Sequence, residues 1–262
     1  MGAAGGLDVP VAEGARELAD LLLRATHAVV LTGAGASTES GLPDFRSPGG
    51  LWQGVDPMRV ASIWALRQSP VDFYRFYRHR LAGMGSARPN PCHDALAALE
   101  GMGVVKAVIT QNVDGLHQAA GSRRVIEVHG SLREAACVDC GRTHPREALE
   151  VPVESEADLP RCTCGGLLKP NVILFGEALP EAAFSQAAAE AALCDLMVVV
   201  GSSLEVSPAN SLPRYALSRG AELALVNLSE TSFDRFARVV VRAKAGEVMP
   251  RVVEMVRTGR QG

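Results

Sequence analysis

Hydrophobic positions along the chain fall into two patterns. Continuous apolar runs at Ala28–Thr32, Val104–Thr110, Val125–Val128, Val172–Phe175, Leu196–Val200, Leu223–Val226 and Val239–Val241 predict short strands, most of them buried on both faces. Helical spacing fills the gaps. Ala15, Leu18, Leu21, Leu22 and Ala25 share one face of a predicted helix over Val11–Thr26. Asp56–Met84 is helical and rich in aromatics, and further helices are predicted at Pro91–Met102, Pro180–Cys194, Ser211–Arg219 and Gly246–Arg257. Strands alternating with helices predict an α/β fold built on a doubly wound, Rossmann-like parallel sheet. Residues 1–10 read as a flexible lead. The sheet domain takes 11–55, 86–132 and 172–262, and two insertions, 56–85 and 133–171, form a small module.

Polar residues gather just after the strands, at 33–46, 111–117, 129, 201–203 and 227–229. Ligands bind along that carboxyl edge in open α/β sheets, so several such loops together predict one shared site. The first is the most informative. Gly33 and Gly35 follow a strand, where a tight turn lets the backbone approach a pyrophosphate. The dehydrogenase fingerprint fails here. Thr38 stands where a third glycine belongs, and Gly41, Pro43, Pro48, Gly49 and Gly50 stop any long helix. A nucleotide turn followed by a long ordered loop is predicted instead. That loop carries Asp44, Phe45 and Arg46, an acid, an aromatic and a guanidinium suited to handling a ligand.

Composition narrows the class. The chain has 262 residues, is 47% hydrophobic and carries a formal net charge of −3. That is enough for a sizeable core and argues against a nucleic-acid binder, which normally shows a basic face. No run reaches the ~18 apolar residues of a membrane span, and the N-terminus lacks a signal-peptide pattern. A cytoplasmic protein is expected, with no membrane or specific nucleic-acid partner. The sequence sets no oligomeric state, and a monomer fits it.

Of the six cysteines, Cys92 and Cys194 sit alone in helical surroundings as small hydrophobes. The other four form two close pairs, Cys137-x2-Cys140 and Cys162-x-Cys164. In a cytosolic chain such pairs predict a zinc ribbon, with four thiolates closing the tetrahedron and leaving no open position for catalysis. Gln111, Asn112 and Asp114 place two amides and a carboxylate at the ligand edge, suited to ribose hydroxyls and a carboxamide. Asp114 equally suits a helix cap. His129 ends a strand at that edge, and an ordinary pKa of ~6.5 suits a general base. His117 is read as packed.

The stretch G-A-G-A-S-T-E-S-G-L-P-D-F-R-S, together with T-Q-N-V-D-G-L-H, V-I-E-V-H-G-S, N-V-I-L-F-G-E and G-S-S-L-E-V, resembles the signature of the sirtuins, NAD-dependent protein lysine deacylases. The resemblance runs from Ala28 to the last helix. It implies NAD as co-substrate, bound by Gly33, Ala34, Gly35, Glu39, Asp44, Phe45, Arg46, Trp52, Gln111, Asn112, Val113, Asp114 and His129, with Asn112 and Asp114 lining the nicotinamide pocket. Gly201, Ser202, Ser203, Asn227, Leu228, Ser229 and Ala245 would hold the adenosine half. His129 and Asn112 are implied as catalytic. Ile173, Phe175, Gly176 and Glu177 on one side, and Leu204 and Val206 on the other, would sandwich an acyl-lysine segment as an added strand. Tyr77-x-x-Arg80 resembles the subgroup that removes acidic acyl groups, with Arg80 forking a carboxylate. Most sirtuins carry C-x2-C in the second zinc pair, where this chain has C-x-C. By the resemblance, the acyl oxygen attacks the ribose C1′ as nicotinamide leaves, and His129 then acts as base on a ribose hydroxyl. The products are free lysine, nicotinamide and O-acyl-ADP-ribose. Two other functions fit the same pocket on sequence: mono-ADP-ribosyl transfer to protein, and a non-catalytic NAD or acyl-lysine sensor.

Overall fold

The computed structural model describes residues 10–45 and 47–260, so the expected N-terminal lead lies almost wholly, and Arg46 entirely, outside the described residues. Helix α1 (Val11–Arg24) precedes strand β1 (Ala28–Thr32). Three helices follow, α2 (Pro57–Val60), α3 (Ile63–Gln68) and α4 (Pro70–Gly85), then α5 (Pro91–Gly101), β2 (Val105–Thr110), the short α6 (Leu116–Ala119) and β3 (Val125–Glu127). Next come β4 (Gly130–Cys137), β5 (Thr143–Pro145) and β6 (Leu168–Val172). The chain closes with α7 (Glu181–Leu193), β7 (Leu196–Val200), α8 (Leu212–Ser218), β8 (Glu222–Val226), β9 (Val239–Val241) and α9 (Ala245–Gly259).

Six of these strands form a sheet in the order β3-β2-β1-β7-β8-β9, and every pairing in it is parallel. The continuous apolar runs have a direct cause. Alternate residues point to opposite faces, and both faces are covered. Ala28, Val30, Leu196 and Val198 pack with α1, α5 and α9. Val29, Leu31, Met197 and Val199 pack with α7 and α8 on the other side. Strand order reverses at β1, so the loops after β1, β2 and β7 face one crevice.

The two insertions share a third core, in which Leu66, Phe73 and Tyr77 of the helices meet Leu132, Ala135 and Leu168 of a small antiparallel sheet, β5-β4-β6. The Tyr74 hydroxyl donates to Leu168 C=O at 2.5 Å across that junction. The helical segment is broken where the sequence supplies caps. Asp56 accepts from Met58 N–H, Ser62 accepts from Ala65 N–H, and Pro70 opens α4.

One predicted strand is corrected. The run Val172–Phe175 does not join the main sheet. Val172 ends β6, opposite Gly130, and Phe175 makes only an isolated parallel bridge to Ser62. An apolar run predicts extended backbone but not its partner, and here the partners are strand β4 of the small sheet and the residue that caps α3. Among the described residues no helix is long and apolar enough to cross a membrane.

Candidate active site

The glycine-rich turn is built against the loop after β7. Gly33 N–H donates to Val200 C=O (3.1 Å) and Gly35 N–H to Gly201 C=O (2.8 Å). A Cβ on Gly33 would stand 2.7 Å from Gly201 O, and one on Gly35 would stand 2.8 Å from Gly201 Cα. The two glycines are therefore required by loop-on-loop packing. Both of their N–H groups are bonded to carbonyls of that loop. A seven-residue 3-10 helix, Ala34–Ser40, follows. Glu39 turns away to the start of α9, where its carboxylate accepts from Gly246 N–H at 2.7 Å, a favourable place for an anion.

The long loop folds on itself. Asp44 Oδ1 accepts from Ser47 N–H and Oγ, while Leu51 and Trp52 N–H donate to the carbonyls of Asp44 and Phe45. The Phe45 and Trp52 rings lie 5.4 Å apart, and the Arg80 guanidinium sits 5.2 Å over Phe45. A cavity of about 140 Å³ opens beneath, lined in part by Ala34, Ser37, Phe45, Arg80, Asn112 and Asp114. Gln111 and Val113 also line it.

Its floor is a polar network. Asn112 Nδ2 donates to Gly33 C=O (3.0 Å) and to Ser37 Oγ (3.1 Å). Ser37 O–H donates to Asp114 Oδ2 (2.7 Å), and Asp114 Oδ1 accepts from Leu116 N–H (2.9 Å). The expected helix cap is therefore not Asp114: Gly115 is the N-cap of α6, and Asp114 Oδ1 instead closes a tight turn onto Leu116 N–H. Gln111 Nε2 reaches Ser202 Oγ at 2.9 Å, linking the loops after β2 and β7. His117 is buried as read, with Nε2 2.9 Å from Thr32 Oγ1 and no partner for Nδ1 among the described residues. Burial, and then its neighbour His93, push its pKa down to about 3. Ser37 and His93 were missed by the sequence reading. The first lay inside a quoted motif without a role. The second was signalled only by the Asn90-x-x-His93 spacing that caps α5.

His129 is half-buried. Its Nδ1 lies 3.1 Å from Gln111 C=O. A carbonyl only accepts, so Nδ1 carries the proton and Nε2 keeps its lone pair. Burial holds its pKa below the ordinary value, partly opposed by that carbonyl.

In the loops expected to hold the adenosine half, Gly201 N–H donates to Val226 C=O and Asn227 N–H to Val241 C=O, which sets these loops along one edge. Ser229 C=O accepts from Asn227 Nδ2 and from Arg242, both at 2.8 Å, while Leu228 is exposed. Ser203 is half-buried and Ala245 begins α9. Among the residues expected to contact the substrate, Ile173 N–H donates to His129 C=O (2.9 Å). Phe175 spends both backbone groups on Ala61 and Ile63, so neither is free to pair with another strand. Gly176 lies under the Trp64 ring, and Glu177 binds Lys169 Nζ (2.9 Å) and Leu174 N–H (2.8 Å). Leu204 has φ 57° and is buried in the core beside α7 and α8, and Val206 C=O accepts from Asn210 N–H. The Leu204 side chain is therefore out of reach of a peptide.

The four cysteines converge. All four sulphurs lie within 4.8 Å of one another, with Cys137 and Cys164 3.5 Å apart and Cys140 and Cys162 3.8 Å apart. Tetrahedral thiolates at ~2.3 Å from zinc stand about 3.8 Å apart, so the set fits one structural ion. The Cys164 backbone N–H, above all, draws the Cys162 thiol down to about 5. Gly166 N–H favours the Cys164 thiolate, yet the crowded sulphurs push that thiol up to about 12. The shortened C-x-C pair turns through Gly165 at φ 93°. His144 Nε2 lies 3.3 Å from Cys162 Sγ, a donor to the outer side of the cluster.

Comparison with known proteins agrees with this geometry. Residues 33–208 match the Sir2 family. An NAD-dependent protein deacylase 2 from Pyrobaculum aerophilum is 48% identical over 92% of this chain and 95% of its own length. A Sir2 homologue solved as its NAD complex superposes with TM-score 0.85 at 40% identity, covering 93% of this chain and 94% of that one. Sir2Tm bound to a propionylated peptide gives 0.83 at 41% identity, covering 93% and 98%.

Proposed function

The chain belongs to the Sir2 family, and from that premise we propose that it removes acyl groups from protein lysines with NAD as co-substrate, accepting acidic acyl chains through Tyr77 and Arg80. The observation that carries the acidic preference is the Arg80 guanidinium. It lines the cavity, and no carboxylate lies within ion-pair distance of it among the described residues. Tyr77 is buried one helical turn away on the same helix face. Burial lowers the Arg80 pKa, with Tyr77 and then Asp114 opposing the shift. A desolvated guanidinium without an anion is unfavourable, and a planar carboxylate satisfies it bidentately.

When bound, NAD supplies an electrophilic ribose carbon and a departing nicotinamide. The residues divide the remaining work. Asn112 and Asp114 hold carboxamide and ribose from the cavity floor. Phe45 covers the cavity and keeps water from the reacting carbon. His129 Nε2, its lone pair free, takes a ribose hydroxyl proton. The acyl-lysine segment enters in extended form between 173–177 and 201–206, paired through main-chain groups other than those of Phe175. Paired reduced cysteines suit a cytosolic compartment.

Arg80→Leu separates the acyl classes. The expected result is a fall of about a hundredfold in kcat/KM for a succinyl-lysine peptide, with a far smaller change for the acetyl form of the same peptide. Equal losses on both would leave Tyr77 and Arg80 as packed side chains of α4 with no role in acyl choice.

A further inference from the structure

We propose that the groove between α8 and the turn before β9 is a docking site for an acidic segment of a partner protein, one in which acidic residues flank a large apolar residue. The groove shares no lining residue with the active-site cavity, and its volume is about 460 Å³ against about 140 Å³ there. One wall is a single face of α8. Arg214, Leu217 and Ser218 stand three and four residues apart, so their side chains rise together. The turn from Ser232 through the 3-10 segment Asp234–Phe236 makes the facing wall. Leu217 and Phe233 form the floor, packed on the core that underlies β7 and β8. The Phe236 ring is 51% exposed, with the Arg235 guanidinium 4.7 Å over it.

The charges on the two walls have one sign. Arg214 stands on α8 and Arg235 on the turn, and among the described residues no carboxylate lines the groove. Neither guanidinium has a carboxylate within ion-pair distance among the described residues. Acids close by in sequence serve other groups. Asp234 Oδ1 accepts from Thr231 N–H (3.1 Å) and Oγ1 (2.7 Å), and its other oxygen pairs with Arg242. Glu222 pairs with Arg238. The same bonds fix the turn, since Arg242 also donates to Ser229 C=O at 2.8 Å and Thr231 Oγ1 accepts from Phe233 N–H at 3.2 Å. A wall set in advance lowers the ordering cost of binding.

Cations on opposite walls of an apolar floor select their occupant. Each arginine takes a carboxylate through a forked pair of hydrogen bonds. An apolar side chain held between those carboxylates covers Leu217 and Phe233 and removes their surface from water. A bare anion would satisfy the arginines and leave the floor wet. A basic segment would be repelled by both walls.

Fluorescence anisotropy of the full chain with a short labelled peptide, one phenylalanine flanked on both sides by glutamates, reads the site directly and does not depend on the deacylation reading. Saturable binding is expected, and it should weaken as salt is raised. Replacing the glutamates by glutamine, or the phenylalanine by alanine, should weaken it by about tenfold or more. Arg214→Glu combined with Arg235→Glu should abolish binding of this peptide and create binding of one with lysines in place of the glutamates. Both arginines are exposed, so the double variant should keep the melting temperature of the parent, which separates lost docking from lost fold. Equal binding of the glutamine peptide, or binding unchanged in the double variant, would overturn the proposal. So would inorganic phosphate binding as tightly as the peptide, which would make the groove a simple anion site. No binding up to about 1 mM peptide would overturn it as well.

Discussion

His129→Ala is expected to lower turnover by about two to four orders of magnitude while leaving the fold and NAD binding in place. The ring contributes little to the core, since it is half-buried and its polar contact is the single bond to Gln111 C=O. What is lost is a base already set in the required tautomer, with the proton on Nδ1 and the lone pair on Nε2. The pH profile provides a second readout. Burial holds the His129 pKa below its ordinary value, so the ring is neutral through the physiological range. It becomes protonated, and inactive as a base, only as pH falls below ~6.5. The acid limb of kcat/KM should therefore lie below that value, with activity rising through it and level above. A limb above pH 7, or turnover surviving in H129A, would assign the base elsewhere.

Removing the zinc is expected to abolish activity although no ligand touches the reacting atoms. Metal binding in such sites is folding free energy, about 10–16 kcal/mol in isolated zinc fingers. The small sheet depends on it, because Cys137 ends β4 and Cys162 and Cys164 precede β6. Strand β4 begins at Gly130, beside His129, and Gly130 pairs with Val172. The next residue, Ile173, bonds His129 C=O directly. Loss of the sheet therefore releases His129, the base proposed above, from one side. Cys162→Ser should leave well under one equivalent of zinc, lower the melting temperature and reduce turnover in proportion to the metal lost. A zinc-free variant with full activity would separate the ribbon from the site.

The sheet was legible because a parallel strand buried on both faces leaves a continuous apolar run, as at Val29–Leu31 and Met197–Val199. The cysteine cluster was legible because four thiols in close pairs have few other uses. The run after β6 misled, since its hydrophobic pattern cannot reveal that Phe175 bonds residues 61 and 63. Gly33 and Gly35 were recognised as close-approach positions, but the sequence does not say what approaches, and the answer is the Gly201 backbone. Ser37 and His93 escaped notice for a different reason. Each is an ordinary polar residue locally, and its meaning arises only when α5 and the loops after β1 and β2 meet.

The most direct test of the account is mass spectrometry of one lysine peptide, in acetylated and in succinylated form, incubated with the protein with and without NAD. The account predicts NAD-dependent loss of succinyl well above acetyl, with one nicotinamide and one O-acyl-ADP-ribose formed per lysine freed. Acyl groups retained on every lysine while ADP-ribose accumulates on protein would contradict it.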